Sequence, residues 1–335
     1  MKIDAGIGFD LGKAAETAKA LEDSGYDGIL AAETSHDPFF PLLLAAEHTN
    51  RIELYTSIAV AFARNPMVLA NLAHDLNAFS KGRFTLGLGS QIKPHITKRF
   101  SMPWGKPAAQ MKEMIQAIQA IWDCWYDGKP LEFRGEYYTH TLMTPMFTPL
   151  DTQYGKPKIV LAAVGPKMTE TAASVADGML IHAFTTEKYL REVTVPTVEK
   201  TLAENGRQRE DFQLVYPAFA VTADTEEKFN EIKTATCKQI AFYGSTPAYK
   251  GVLDLHGWGD LQPELNRLSK IGQWDEMGTM ITDDILDAFA VVGEPKDVVK
   301  GLKARYSGLI DRASVSLAGV HKSKVPELVQ ALKTG

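Results

Sequence analysis

Cysteine is scarce: the 335 residues hold two, Cys124 and Cys237, far apart and in no metal-ligand spacing. A disulfide framework has nothing to build on, and both thiols are expected reduced and buried. Long hydrophobic runs are missing too. Met1-Lys2 leads straight into Ile3-Asp4-Ala5-Gly6-Ile7 with no apolar signal core, and no later run would span a bilayer, so the expectation is a cytoplasmic chain. Positive charge is not in excess. Lys and Arg total 36 against 41 Asp and Glu, a net charge of -5, so the chain repels a phosphate backbone on average and general nucleic-acid binding is not expected. No histidine pair has i, i+4 spacing and HExxH does not occur, which argues against a metal centre. The G-x-S-like text Gly87-Leu88-Gly89-Ser90 lacks the closing glycine of a nucleophile elbow, so acyl transfer is unsupported. There is no internal repeat and no low-complexity tract.

What is present is ordinary globular composition, 45% hydrophobic and 23% charged, which excludes intrinsic disorder. Short apolar runs alternate with amphipathic stretches. The expected strands are Ile3–Ile7, Gly28–Ala32, Ile52–Val60, Arg83–Leu88, Lys158–Ala163, Gly178–His182, Gln213–Val221 and Arg312–Ala318. Helical spacing marks Leu11–Ser24, Pro66–Ser80, Pro107–Tyr126, Lys167–Ala176, Thr186–Glu204 and Thr225–Phe242. Eight strand-helix units predict an α/β fold, a (β/α)8 TIM barrel spanning residues 1–335 as a single domain. An open doubly wound sheet is the alternative. Asn65 reads as an N-cap with Pro66 behind it, and Gly82 as the residue that lets the same helix stop. Two segments interrupt the alternation, Asp127–Gly155 after strand 4 and Gly244–Asp284 after strand 7. Insertions of that length are expected at the active end.

In a barrel, chemistry gathers at the carboxyl ends of the strands. Ala5 and Gly6 close strand 1. Glu33, His36 and Asp37 follow strand 2, and Thr56, Ser57 and Ile58 fall in strand 3. Gly87, Gly89, Ser90, Gln91 and His95 follow strand 4, and His182 closes strand 6. Gly87-Leu88-Gly89 lacks the third glycine of a dinucleotide fingerprint, since Ile92 stands there, so it reads as a strand end that something must approach closely. Ala162-Ala163-Val164-Gly165-Pro166-Lys167 ends strand 5 in small residues and then opens a helix with proline. Free N–H groups there favour an anion, and Lys167 could add charge, so a phosphate site is expected. The loop holding Lys93, Lys98 and Arg99 is basic in an acidic chain and suits either open solvent or an acidic ligand tail.

The runs Arg51-Ile52-Glu53-Leu54-Tyr55-Thr56-Ser57-Ile58, Arg64-Asn65-Pro66 and Ser80-Lys81-Gly82-Arg83-Phe84-Thr85-Leu86-Gly87-Leu88-Gly89 resemble the bacterial luciferase-like superfamily. Gln91, His95, Pro103-Trp104, Arg134-Gly135-Glu136-Tyr137-Tyr138 and Val291-Val292-Gly293-Glu294-Pro295 continue the likeness, which is strongest to the deazaflavin branch that uses coenzyme F420. The resemblance implies a TIM barrel with insertions, usually a homodimer, with a flavin or deazaflavin across the strand ends. It implies a cis peptide at Ser57-Ile58, an acid at Glu33, a ring-contacting residue at His95 and a phosphate loop at Ala162–Gly165. Many deazaflavin relatives carry Asp followed directly by His after strand 2. Here Thr34 follows Glu33, and the histidine comes only at His36. The implied activity is hydride transfer to or from a small organic substrate, with Glu33, His36, His95 and His182 as acid–base candidates. The acidic oligoglutamate tail of the coenzyme would suit Lys93, Lys98 and Arg99. Two alternatives stay open: an FMN-dependent monooxygenase fed by a separate flavin reductase, and a non-catalytic flavin-binding accessory protein. The long insertions and their aromatics (Trp104, Tyr137, Tyr138, Phe147, Trp258, Trp274) are expected to set the substrate.

Overall fold

The computed structural model describes residues 1–334. Its frame is eight parallel strands: β1 (Lys2–Gly6), β2 (Gly28–Ala31), β3 (Glu53–Thr56), β4 (Phe84–Gly89), β5 (Lys158–Ala163), β6 (Gly178–Ile181), β7 (Gln213–Val221) and β8 (Arg312–Val315). Each pairs with the next, and β8 pairs with β1 through Lys2 opposite Arg312 and Asp4 opposite Ser314. That last pairing closes a TIM barrel and removes the open-sheet alternative. Helices α1 (Ala14–Asp23), α2 (Phe39–His48), α3 (Pro66–Phe79), α4 (Pro107–Asp127) and α5 (Pro166–Val175) wrap the first half. The Asn65 side chain caps α3 by accepting the Val68 N–H at 3.0 Å, and Gly82 sits at φ 84° just past its end. No helix among the described residues is long and apolar enough to cross a membrane.

The core has two layers. Leu30, Tyr55, Val160, Leu180 and Val215 meet inside the barrel, with Ile58 and Ala162 packed above them. A larger shell between strands and helices holds Ile3, Ile29, Leu54, Leu86, Ile159, Leu161, Ile118 and Ile121, all fully buried. Below the inner layer the barrel is polar. Arg312 and Asp4 are fully buried and paired, Arg312 also reaches Glu53, and its guanidinium lies over the Tyr55 ring at 4.8 Å. An aspartate stands before three even strands and ties each to the odd strand ahead of it. Asp27 accepts the Ile3 N–H at 2.8 Å, Asp177 the Ile159 N–H at 2.8 Å and Asp311 the Leu214 N–H at 2.7 Å. In return each aspartate's own N–H donates to the same residue's carbonyl.

Four features differ from the sequence reading. The strand expected over Ile52–Val60 is two pieces, β3 and Ala59–Val60, parted by a cis Ser57-Ile58 peptide, and the second piece pairs with the end of β4. Helix α2 was not anticipated. Its sequence FFPLLLAAEH is apolar almost throughout, with a proline inside, so it shows no polar stripe. Asp37 starts it by accepting the Phe39 N–H at 2.9 Å. The Gly-rich segment Gly244–Asp284 is mostly helical (Lys250–Leu255, Leu261–Lys270, Trp274–Thr279) and leads into a further helix, Asp283–Phe289. With the preceding helix Glu226–Gly244 it buries Ile240, Leu265, Leu268, Met277 and Phe289 in a second core. The two thiols are only half-buried, and partial burial pushes both up.

The other insertion leaves α4, forms the small hairpin Phe133–Arg134 with Thr139–His140 and climbs back to the start of α4. There the Glu113 carboxylate accepts the N–H groups of Glu136, Tyr137 and Tyr138 at 2.7 to 2.9 Å. The chain then descends to α3, where His74 meets Asp151 at 3.1 Å. The hairpin tip therefore lies at the carboxyl end of the barrel, beside Trp104, which packs edge-on against Phe62.

Candidate active site at the barrel mouth

Above the inner layer, the residues that alternate into the barrel are small or partly open to solvent. Gly6, Ala32, Ile58, Ala162, His182, Pro217 and Ser314 are all half-buried or exposed, although strands surround them. This ring is the mouth. Against its β1–β2 side lies a cavity of about 300 Å³ bordered by Phe9, Ala32, His36, Asp37 and Phe40.

The β3–β4 wall explains the Gly-Leu-Gly text. The Thr56 hydroxyl donates to the Gly87 carbonyl and accepts the Gly87 N–H, both at 2.8 Å. A Cβ on Gly87 would stand 1.8 Å from the Thr56 carbonyl oxygen, and one on Gly89 would stand 2.9 Å from the Ile58 side chain. These glycines let the strands close on each other and bring Ile58 into the mouth.

Glu33 organises the same wall from the other side. Its N–H donates to the Ile58 carbonyl at 3.1 Å, and its carboxylate accepts the Val60 N–H at 2.7 Å and Arg64 at 2.6 Å. Arg64 continues to the Val60 carbonyl at 3.2 Å and to Asp37 at 2.8 Å. With only 8% of the Glu33 side chain and 14% of the Arg64 side chain exposed, the pair is a tie between the end of β2, the turn after β3 and the start of α2. Arg64 stood in the motif Arg64-Asn65-Pro66 but was not singled out as a site residue. Its position after strand 3, a lone charge behind the apolar run Ile58–Ala63, was the available signal.

Gly165 begins α5 with no side chain capping the first turn, and nothing lies within 4 Å of where its Cβ would be. Nearby, the buried Thr185 hydroxyl has no partner and shares a small cavity wall with Ala163 and Val164. The cavity at Thr185, about 10 Å³, holds no more than a water, whereas the uncapped helix start fits a phosphate group. Pro166 and Lys167 are exposed at its edge.

The four histidine and carboxylate candidates are thus placed differently. His182 stands at the end of β6, half-buried between Tyr243 and Tyr249. Its Nδ1 accepts the Phe184 N–H at 3.0 Å, and burial pulls the imidazole down to about 4. His36 is exposed beside Phe9. His95 is exposed in the short helical turn His95–Arg99, while Glu33 is tied to Arg64. Gln91 takes a positive φ of 57° and turns the chain out of β4. Lys93 and Lys98 are exposed, whereas Arg99 donates to the Thr34 carbonyl and so joins the loops after β2 and β4. Ala5 is buried in β1 and Gly6 opens into the mouth. Tyr243 and Tyr249, which flank His182, were missed because they come from the helix before the inserted segment and from its first turn, whose packing no local pattern revealed.

Residues 2–312 match a protein-family model described as luciferase-like monooxygenase. The chain belongs to that family. It is 54% identical over 312 residues to an uncharacterized protein of Mycobacterium tuberculosis, covering 93% of this chain and 92% of the other. It is 27% identical over 320 residues to a 5,10-methylenetetrahydromethanopterin reductase of Archaeoglobus fulgidus, covering 93% and 91%. Among solved structures, the coenzyme F420-dependent tetrahydromethanopterin reductase from Methanopyrus kandleri superposes with a TM-score of 0.79 at 22% identity, over 98% of this chain and 96% of that one. Family membership supports an oxidoreductase or monooxygenase built on the barrel described above.

Proposed function

We propose that this family member is an F420-dependent oxidoreductase acting on a small organic substrate. The observation that carries the reading is the union of two features in one mouth. An uncapped helix start at Gly165 opens beside an apolar floor made by Ile58, Gly89 and Ala162, which suits a phosphorylated ligand with a flat ring. Reductases named as F420-dependent or as acting on methylenetetrahydromethanopterin, alike over nine-tenths of their length, support the choice of ring. A bound deazaflavin would supply hydride transfer.

The chain's own residues do the rest. The N–H groups at the start of α5 would bind the phosphate. Ile58 and Gly89 would back the ring and exclude water behind it. Glu33 and Arg64 hold Ile58 in place, which keeps reacting atoms within a narrow range of distance. Exposed Lys93 and Lys98 would meet an acidic coenzyme tail. The same helix start and floor would serve FMN, and the family's description as monooxygenase supports that second reading.

Parallel titration of the purified protein with F420 and with FMN, followed by cofactor fluorescence, tests the proposal. Micromolar or tighter binding of F420 alone is expected. Preferential FMN binding would move the assignment to an oxygen-using enzyme with a partner reductase, and binding of neither would refute both. Changing Lys93 and Lys98 to Gln should lower F420 affinity and flatten its salt dependence. Unchanged values would remove the tail site.

A further inference from the structure

We propose that His182 is a fixed, neutral hydrogen-bond donor to a carbonyl oxygen held in the barrel mouth, and not a proton shuttle. This rests on the mouth being the ligand site of the preceding reading and assigns one of its contacts.

Three observations carry it. First, strand alternation puts His182 on the mouth side of β6, two residues above Leu180, which belongs to the barrel's inner layer. Second, the Phe184 N–H donates to Nδ1 at 3.0 Å. A ring nitrogen that accepts an N–H carries no proton, so in the neutral ring the proton is on Nε2. Nε2 makes no hydrogen bond among the described residues, and it is not among the buried polar atoms left without a partner. It is a donor with an open face. Third, the ring is held in place. Tyr243 meets it edge-on with centroids 4.6 Å apart, and Tyr249 lies tilted at 4.6 Å. Tyr243 comes from the end of the helix Glu226–Gly244 that leads into the insertion, and Tyr249 from the turn Pro247–Tyr249 within it. The helix and the insertion that follows it thus fix a side chain of the mouth.

The surroundings keep the ring neutral. The titratable groups facing it are the Tyr243 and Tyr249 phenols, with Tyr189 on the wall of the adjoining small cavity, and burial pushes all three upward. Among the described residues no carboxylate contacts the ring to favour its charged form, and burial lowers the imidazole to about 4. Between pH 5 and 8 it therefore holds one proton, on Nε2. A fixed N–H aimed at an oxygen that gathers negative charge helps the reaction without transferring its proton.

Nitrogen-15 NMR of histidine-labelled protein tests this without turnover. The expected spectrum has His182 in the Nε2–H tautomer, unchanged from pH 5 to 8. Titration with a midpoint above 6, or the Nδ1–H tautomer, would overturn the proposal. The Nε2–H resonance is then followed on adding F420, FMN and, to the cofactor-loaded protein, acetone as a carbonyl probe. A shift with F420 or FMN, with about tenfold weaker cofactor binding in His182→Leu and recovery in His182→Gln, places the oxygen on the cofactor. A shift with acetone alone, with cofactor affinity unchanged in both variants, places it on the substrate. A resonance that moves with none of the three refutes the assignment. Because the tautomer is read in the unloaded protein, failure of the F420 reading and failure of this one remain distinguishable.

Discussion

Arg312→Met would cut the seam where the first and last strands meet. Arg312 and Asp4 have fully buried side chains joined by two hydrogen bonds, one of them 2.8 Å from Nε to Oδ2. The guanidinium is packed so tightly that a Cβ on Gly28 would stand 2.5 Å from it. Without it, Asp4 is a carboxylate in a closed interior, a loss of about 3–5 kcal/mol for breaking one side of a buried pair. Unfolding entropy of about 2.1 cal/mol/K per residue over 335 residues is roughly 0.7 kcal/mol/K, so the melting temperature should fall by about 4–7 °C. The loss should depend on pH. Burial already holds the Asp4 pKa above its unfolded value beside Arg312, and in the variant no guanidinium opposes that rise. A group shifted that way keeps its stability at low pH and loses it as pH rises through the folded pKa, so the deficit should be largest near pH 8 and shrink toward pH 5. Asp4→Asn combined with Arg312→Met should cost less than the two single losses added together. Urea denaturation followed by circular dichroism at pH 5 and 8 measures all three variants. A loss below 1 kcal/mol for Arg312→Met, or strict additivity in the double variant, would refute the reasoning.

Glu33→Ala and Arg64→Met should each weaken cofactor binding about tenfold, the range of a lost charge-assisted hydrogen bond, with the double variant no worse than either single one. Additive losses measured by cofactor fluorescence would mean that the two side chains act separately. Glu33→Gln retains an acceptor for the Val60 N–H and should bind better than Glu33→Ala. If Glu33→Gln instead keeps full affinity and loses turnover together with one limb of the pH profile, Glu33 is an acid–base group and not a tie. Gly87→Ala should give no soluble folded protein, since the new methyl would overlap a backbone carbonyl that cannot move alone. A folded variant with a melting temperature near the parent's would show that β3 and β4 can separate.

The strands were the most legible part of the chain. Lys158–Ala163 and Gln213–Val221 match to the residue, because apolar runs bounded by turns have few other uses in an alternating pattern. Helix α2 was hidden by its own burial, since a helix covered on most sides carries no stripe to read. The helices after Gly244 were hidden by their glycines: Gly257 and Gly272 take positive φ where helices stop, and from sequence such stops look like loops. At the mouth, sequence order reached the residues but not their hydrogen-bond partners. Nothing local to Glu33 indicates that Arg64, 31 positions on, takes its carboxylate. Nothing local to His182 indicates that Tyr243 and Tyr249 enclose it. Pairings made by tertiary packing leave no periodic trace.

The three aspartates under the barrel divide its two rims mechanically. Asp27, Asp177 and Asp311 each form a closed ring of hydrogen bonds with the strand ahead, so β1–β2, β5–β6 and β7–β8 are laced at their amino ends. Between β3 and β4 no aspartate lace exists. Leu54 bonds instead to the Arg83 carbonyl, and the Arg83 guanidinium donates to the Ile52 carbonyl at 2.8 Å and to the end of α2. Hydrogen exchange should find the amides of Ile3, Ile159 and Leu214 among the last to open. Of the four odd–even pairs, the one without an aspartate at its base is the pair that carries Ile58 at the top, and there Arg83 makes the tie. The foot of the cup is laced by carboxylates at three odd–even pairs and by a guanidinium at the fourth, and that fourth seam runs up to the wall against which a ligand would lie.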